Sequence, residues 1–105
     1  MSKPVKIQFQ HFEGCPNSPK LLKSLKEALQ EFKETDYIFK EILIEDNSDA
    51  QKYKFLGSPT ILLNNKDMMG LPFPEVSSLA CRFYPGGLPS KETIIDKIKI
   101  AISEN

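Results

Sequence analysis

Tryptophan is absent from this chain, histidine occurs once and arginine once, at Arg82. The basic side is otherwise lysine, and 14 Lys and Arg balance 14 Asp and Glu to a formal net charge of zero. Neutrality argues against a nucleic-acid binder, which carries a net basic footprint. A surface that reads phosphates or bases would also use several arginines. No apolar run is long enough to span a bilayer, and the opening MSKPVKIQFQ has neither an apolar h-region nor a small-residue cleavage site. The expectation is therefore a cytoplasmic protein, without membrane or nucleic-acid partners. There are two cysteines, Cys15 and Cys81, and no CxxC, CxxH or HxxxH spacing. Two cysteines and one histidine do not complete a closed zinc site without a carboxylate, so no metal site and no cofactor are expected. In a reducing compartment two such cysteines are more often reactive or inert than a structural staple.

What is present suits one globular unit. The 105 residues fit a single domain covering 1–105, and 40% hydrophobic with 27% charged residues is ordinary for a soluble protein. Val5 to Phe12 alternates, with Val5, Ile7, Phe9 and His11 on one side, and reads as a strand. Leu21, Leu22, Leu25, Ala28, Leu29 and Phe32 share one helical face, which predicts an amphipathic helix of about four turns. Tyr37 to Ile44 reads as a second strand. It is apolar on both sides, which suggests a strand covered on both faces. Asn47 or Ser48 is expected to cap a short helix running through Tyr53 and Phe55 and stopped by Gly57. Thr60 to Leu63 reads as a third strand, Asn64 to Asp67 as a turn, and Met68 and Met69 as the start of a short fourth strand in a hairpin. The two methionines are expected to fill the core side of that hairpin. From Gly70 to Pro89 four prolines and three glycines exclude a long regular element. A loop of that length in a compact domain usually has a function. Ser90 then caps a final helix with Ile94, Ile95, Ile98, Ala101 and Ile102 on its buried face.

The expected order is β-α-β-α-β-β-α: an α/β protein with a mixed four-stranded sheet and helices on both faces. This order, with Cys15-Pro16-Asn17-Ser18 just after strand one and Ser58-Pro59-Thr60 just before strand three, resembles the thioredoxin-like fold. The first motif has the form of a CxxS monothiol site. The second is similar to the cis-proline segment of that family, which lies against the active cysteine and offers backbone groups to an extended substrate. A closer resemblance is to small thioredoxin-like proteins loosely labelled alkylmercury lyase-like, carried by Phe12 to Asn17, Phe55 to Thr60, Cys81-Arg82 with Tyr84, and Gly87 to Ser90. Unlike ordinary thioredoxins, the chain has Ser18 in place of the second motif cysteine and no tryptophan before Cys15.

The resemblance implies thiol chemistry. Cys15 would be the nucleophile on a disulfide or mixed disulfide, small-molecule or protein, while Ser18, Ser58, Pro59 and Thr60 would contact the substrate. Only the thiolate attacks, and a helix N-terminus lowers a thiol pKa. Two helix starts fit the residues: directly after Cys15 with Pro16 at the first position, or at Pro19 with Ser18 as the N-cap. A dithiol cycle would require Cys81 to approach Cys15; otherwise Cys81 packs under the loop beside Leu79 and Phe83. Arg82 either orients an anionic substrate or pairs with an acidic surface residue. Two other functions fit the same residues: a soft-metal (mercury or copper(I)) protein using both thiols, and a non-catalytic peptide-binding module.

Overall fold

The computed structural model describes residues 3–104. Strand β1 (Val5–His11) leads to helix α1 (Ser18–Leu29), a short 3-10 turn (Glu34–Asp36) and strand β2 (Tyr37–Leu43). Helix α2 (Asn47–Tyr53), strands β3 (Thr60–Leu63) and β4 (Lys66–Asp67), and helix α3 (Lys91–Glu104) follow. The sheet order is β2-β1-β3-β4; β1 pairs parallel with β2 and antiparallel with β3, and β3 pairs antiparallel with β4.

Strand alternation sends Val5, Ile7 and Phe9 to one face, where they meet Leu21, Leu25 and Ala28 of α1 and Ile94, Ile98 and Ala101 of α3. Each of these larger side chains, taken fully out of water, contributes about 1.5–3 kcal/mol. A second, smaller cluster of Ile44, Ala50 and Phe55, joined by Phe12 and Ile42, places α2 over one end of the other face. Only that end is covered, since Ile38 is 52% exposed and Lys6 and Lys40 are exposed as well. The β2 strand is thus an edge strand and not one buried on both faces. Its apolar residues on the second side are accounted for by α2 at one end and by open surface at the other.

Several boundaries differ from those expected. Asp46, not Asn47 or Ser48, caps α2: its Oδ1 accepts the Asp49 N–H at 2.8 Å. The helix ends at Lys54 in the left-handed conformation, so Phe55 lies outside it. The hairpin turn is only Asn64-Asn65, both with positive φ, which leaves Lys66 and Asp67 as the strand. Met68 follows the strand and is buried, while Met69 is 45% exposed and fills no core. Ser90 caps α3 as expected, its hydroxyl accepting the Thr93 N–H at 3.2 Å.

Candidate functional site

The chain end of β1, the start of α1 and the entry to β3 meet around Cys15. The α1 helix begins at Ser18 with Asn17 at the N-cap, between the two starts that fit the residues. The Ser18 N–H bonds the Cys15 carbonyl at 3.2 Å, and the Leu21 N–H bonds the Asn17 carbonyl at 3.1 Å. Cys15 therefore occupies the turn that leads into the helix. Pro19 has no N–H to leave unpaired in the first turn.

Cys15 is 5% exposed, and its thiol donates to the Ser58 carbonyl at 3.6 Å. The Ser18 and Ser58 hydroxyls lie 3.1 Å apart, and the Ser58 hydroxyl also accepts the Phe12 N–H at 3.2 Å. Burial raises the Cys15 pKa, but hydrogen bonds from the Ser18 and Ser58 hydroxyls and from the Asn17 and Ser18 N–H groups outweigh it. The net result is a thiol pKa below the ordinary value. Cys15 also lines a pocket of about 250 Å³, together with His11, Phe12, Gly14, Pro19 and Leu22.

The Ser58-Pro59 peptide bond is cis. Residues 80–82 run alongside it. Ser58 and Cys81 form an isolated parallel bridge, in which the Ser58 N–H bonds the Ala80 carbonyl and the Arg82 N–H bonds the Ser58 carbonyl, both at 2.9 Å. Cys81 is exposed rather than packed beneath the loop. Gly57 permits this close approach. Its φ is +109°, and a Cβ there would lie 2.9 Å from the Arg82 Cβ.

Arg82 is not in a surface pair. It is 9% exposed and forks onto Asp67, Nη1 to Oδ1 at 2.6 Å and Nη2 to Oδ2 at 2.8 Å. Its Nη1 also reaches the Thr60 hydroxyl at 3.2 Å, and its guanidinium stacks 4.5 Å from the Tyr84 ring centre. The Tyr84 hydroxyl donates to the Pro59 carbonyl at 2.6 Å. Thr60 is fully buried, and its hydroxyl donates to the Gly57 carbonyl at 2.6 Å.

The structure thus brings Cys15, Ser18 and Ser58 together and sets Cys81 on the loop segment bridged to Ser58. Thr60 lies beneath the surface, inside the brace that holds the loop. Asp67 and Tyr84 are parts of that brace which sequence reasoning did not assign. The lone arginine within a long loop was the available signal, since a buried guanidinium requires a carboxylate. Among the described residues no three His, Cys, Asp or Glu side chains gather to hold a metal, and no helix is long and apolar enough to cross a membrane.

HBP35 of Porphyromonas gingivalis has a similar structure, with a TM-score of 0.61 at 13% sequence identity. The match covers 99% of this chain and 34% of that one, so this chain spans about a third of its neighbour's length. The fold is compatible with the thioredoxin-like class. No family model matches the chain, and no curated protein matches it.

Proposed function

We propose that the chain is a thiol-dependent redox protein of thioredoxin-like type. Cys15 attacks a disulfide or mixed disulfide, forming a new S–S bond and expelling the leaving sulfur as a thiolate. What supports this reading is the place of Cys15, in the turn that leads into α1 and against the cis Ser58-Pro59 segment, with the Ser18 and Ser58 hydroxyls beside it and its thiol pKa held below the ordinary value. Cys81 is the candidate for the second step. Its thiolate would attack the Cys15 sulfur of the mixed disulfide and release the bound thiol, leaving a Cys15–Cys81 disulfide. Ser58 supports that pairing, because its carbonyl accepts the Cys15 thiol while its backbone is bridged to Cys81. Of the segments that resemble the small thioredoxin-like proteins loosely labelled alkylmercury lyase-like, Phe12 to Asn17, Phe55 to Thr60 and Cys81-Arg82 with Tyr84 meet around Ser58 and Pro59, while Gly87 to Ser90 leads into α3.

The test is the pH dependence of Cys15 alkylation in Cys81→Ser protein. The expected midpoint lies below the ordinary thiol value of about 8.5, and Ser18→Ala and Ser58→Ala each move it upward. A midpoint at or above the ordinary value would overturn the reading. For the second step, oxidation of the unaltered chain with one equivalent of a disulfide should yield a protein lacking two free thiols and carrying no adduct. A stable adduct on Cys15 would make the chain a monothiol protein.

A further inference from the structure

The hydrogen-bonding capacity that Ser58 would offer to an extended peptide is already taken. Its N–H is bonded to the Ala80 carbonyl, and its carbonyl accepts both the Arg82 N–H and the Cys15 thiol. The loop segment that takes it, residues 80–82, is firmly held. Arg82 is anchored on buried Asp67, Tyr84 is bonded to the Pro59 carbonyl, and Gly57 lies against the Arg82 backbone. A second chain could pair with Ser58 only by unseating residues 80–82 and breaking those contacts.

Cys15 instead meets a cavity that residues 80–82 do not line. At about 250 Å³ it is smaller than the roughly 300–1,000 Å³ of pockets that take drug-sized ligands. Phe12, Pro19 and Leu22 wall it with carbon, and Cys15 is among its lining residues. The His11 ring at its edge is engaged by Glu41 at 2.9 Å. Glu13 at its rim is exposed, and its carboxylate repels anions.

We infer that the oxidised partner of Cys15 is a small, uncharged, apolar disulfide that enters through this cavity, and not an extended peptide laid along Ser58. This rests on the thiol reading above and narrows it to a substrate class. The step is a thiol–disulfide exchange. The Cys15 thiolate bonds one sulfur of R–S–S–R, the S–S bond breaks, and R–S⁻ leaves through the cavity mouth to take a proton from water. The chain needs no further oxidant for this step.

The test uses two full-length variants, Cys81→Ser, which reports Cys15 without resolution by Cys81, and Cys15→Ser, in which exposed Cys81 is the reference for intrinsic reagent reactivity. A neutral dipyridyl disulfide and a dianionic bis(nitrobenzoate) disulfide are compared, and mass spectrometry assigns the rate at each cysteine. The neutral-over-anionic preference should be about tenfold greater at Cys15 than at Cys81, the ratio expected for one like-charge contact plus apolar walls. Glu13→Lys, at an exposed rim position, should reduce that preference by speeding the dianion. Equal preferences at the two cysteines would overturn the substrate class and leave the thiol reading standing. Faster reaction of Cys15 with an extended disulfide-bearing peptide than with the neutral reagent would overturn it too, since residues 80–82 would then have to yield. No reaction of Cys15 with any of the three would overturn the thiol reading itself.

Discussion

Asp67→Ala removes the carboxylate on which the loop's only arginine rests. The two side chains are 1% and 6% exposed for Asp67 and Arg82, and they share two short bonds of 2.6 and 2.8 Å. Truncating one partner of such a pair leaves a buried charge without compensation, which costs about 3–5 kcal/mol. The Leu71 N–H, bonded to Asp67 Oδ2 at 3.0 Å, loses its acceptor as well. That adds roughly 1 kcal/mol. Domains of this size have about 5–15 kcal/mol in total, so the variant should sit near the edge of stability in urea unfolding followed by circular dichroism. The pair is then tested by a cycle with Arg82→Met. Removing both charges should cost clearly less than the sum of the single changes, because the penalty lies mainly in the orphaned ion. A local effect should precede the global one: with Arg82 released, the loop segment beside Ser58 loosens and alkylation of Cys15 accelerates at urea concentrations that leave the helices intact. A cost for Asp67→Ala of less than about 1 kcal/mol, or strict additivity in the cycle, would refute the account of the brace.

Three further outcomes are expected. Gly57→Ala should destabilise by at least about 2 kcal/mol, from the positive φ and the contact with Arg82; an unchanged urea midpoint would contradict the close approach of the two segments. Tyr84→Phe loses the bond to the Pro59 carbonyl and should cost about 1 kcal/mol at neutral pH. Burial pushes the Tyr84 phenol up to about 12. The stability it confers is complete below the unfolded value near 10 and declines as pH rises toward 12, so the gap between the unaltered chain and Tyr84→Phe should shrink over that window, as alkaline unfolding curves would show. Cys15 has the opposite sign: its lowered pKa adds stability that is complete above the unfolded thiol value and disappears as pH falls through the folded one. The stability difference between the unaltered chain and Cys15→Ser should therefore be larger at alkaline than at mildly acidic pH, and a flat difference would count against thiolate stabilisation.

The parts of the fold that were legible in the sequence are those set by local periodicity. The alternation of Val5, Ile7 and Phe9, the face of Leu21, Leu25 and Ala28, and the Ser90 cap all depend on near neighbours. Errors arose where neighbours compete or distant residues decide. Asp46, Asn47 and Ser48 are three capping residues in a row, and only the chain direction after β2 selects the first. Asn64 and Asn65 both adopt positive φ, so the turn needs no more residues and Lys66 joins the sheet. That β2 lies at an edge is a property of strand order, which its own residues do not encode. Within the site, Cys15, Ser18 and Ser58 stood out by motif. The Arg82–Asp67 pair spans the hairpin and the loop, with no spacing rule to announce it, and the occupation of Ser58 by residues 80–82 is a purely tertiary fact.

The edge position of β2 has a consequence for how this molecule behaves among copies of itself. Among the described residues no strand pairs with its outer side, and Ile38 and Leu43 on it are 52% and 43% exposed. Such an edge is a template for strand-by-strand growth into aggregates. Lys40 and Glu41 stand in the middle of that row, both exposed. A copy adding in antiparallel register about either residue would set like charges face to face and remove them from water. The same two residues that weaken β2 as a hydrophobic strand are gatekeepers, and they let the sheet end where it does.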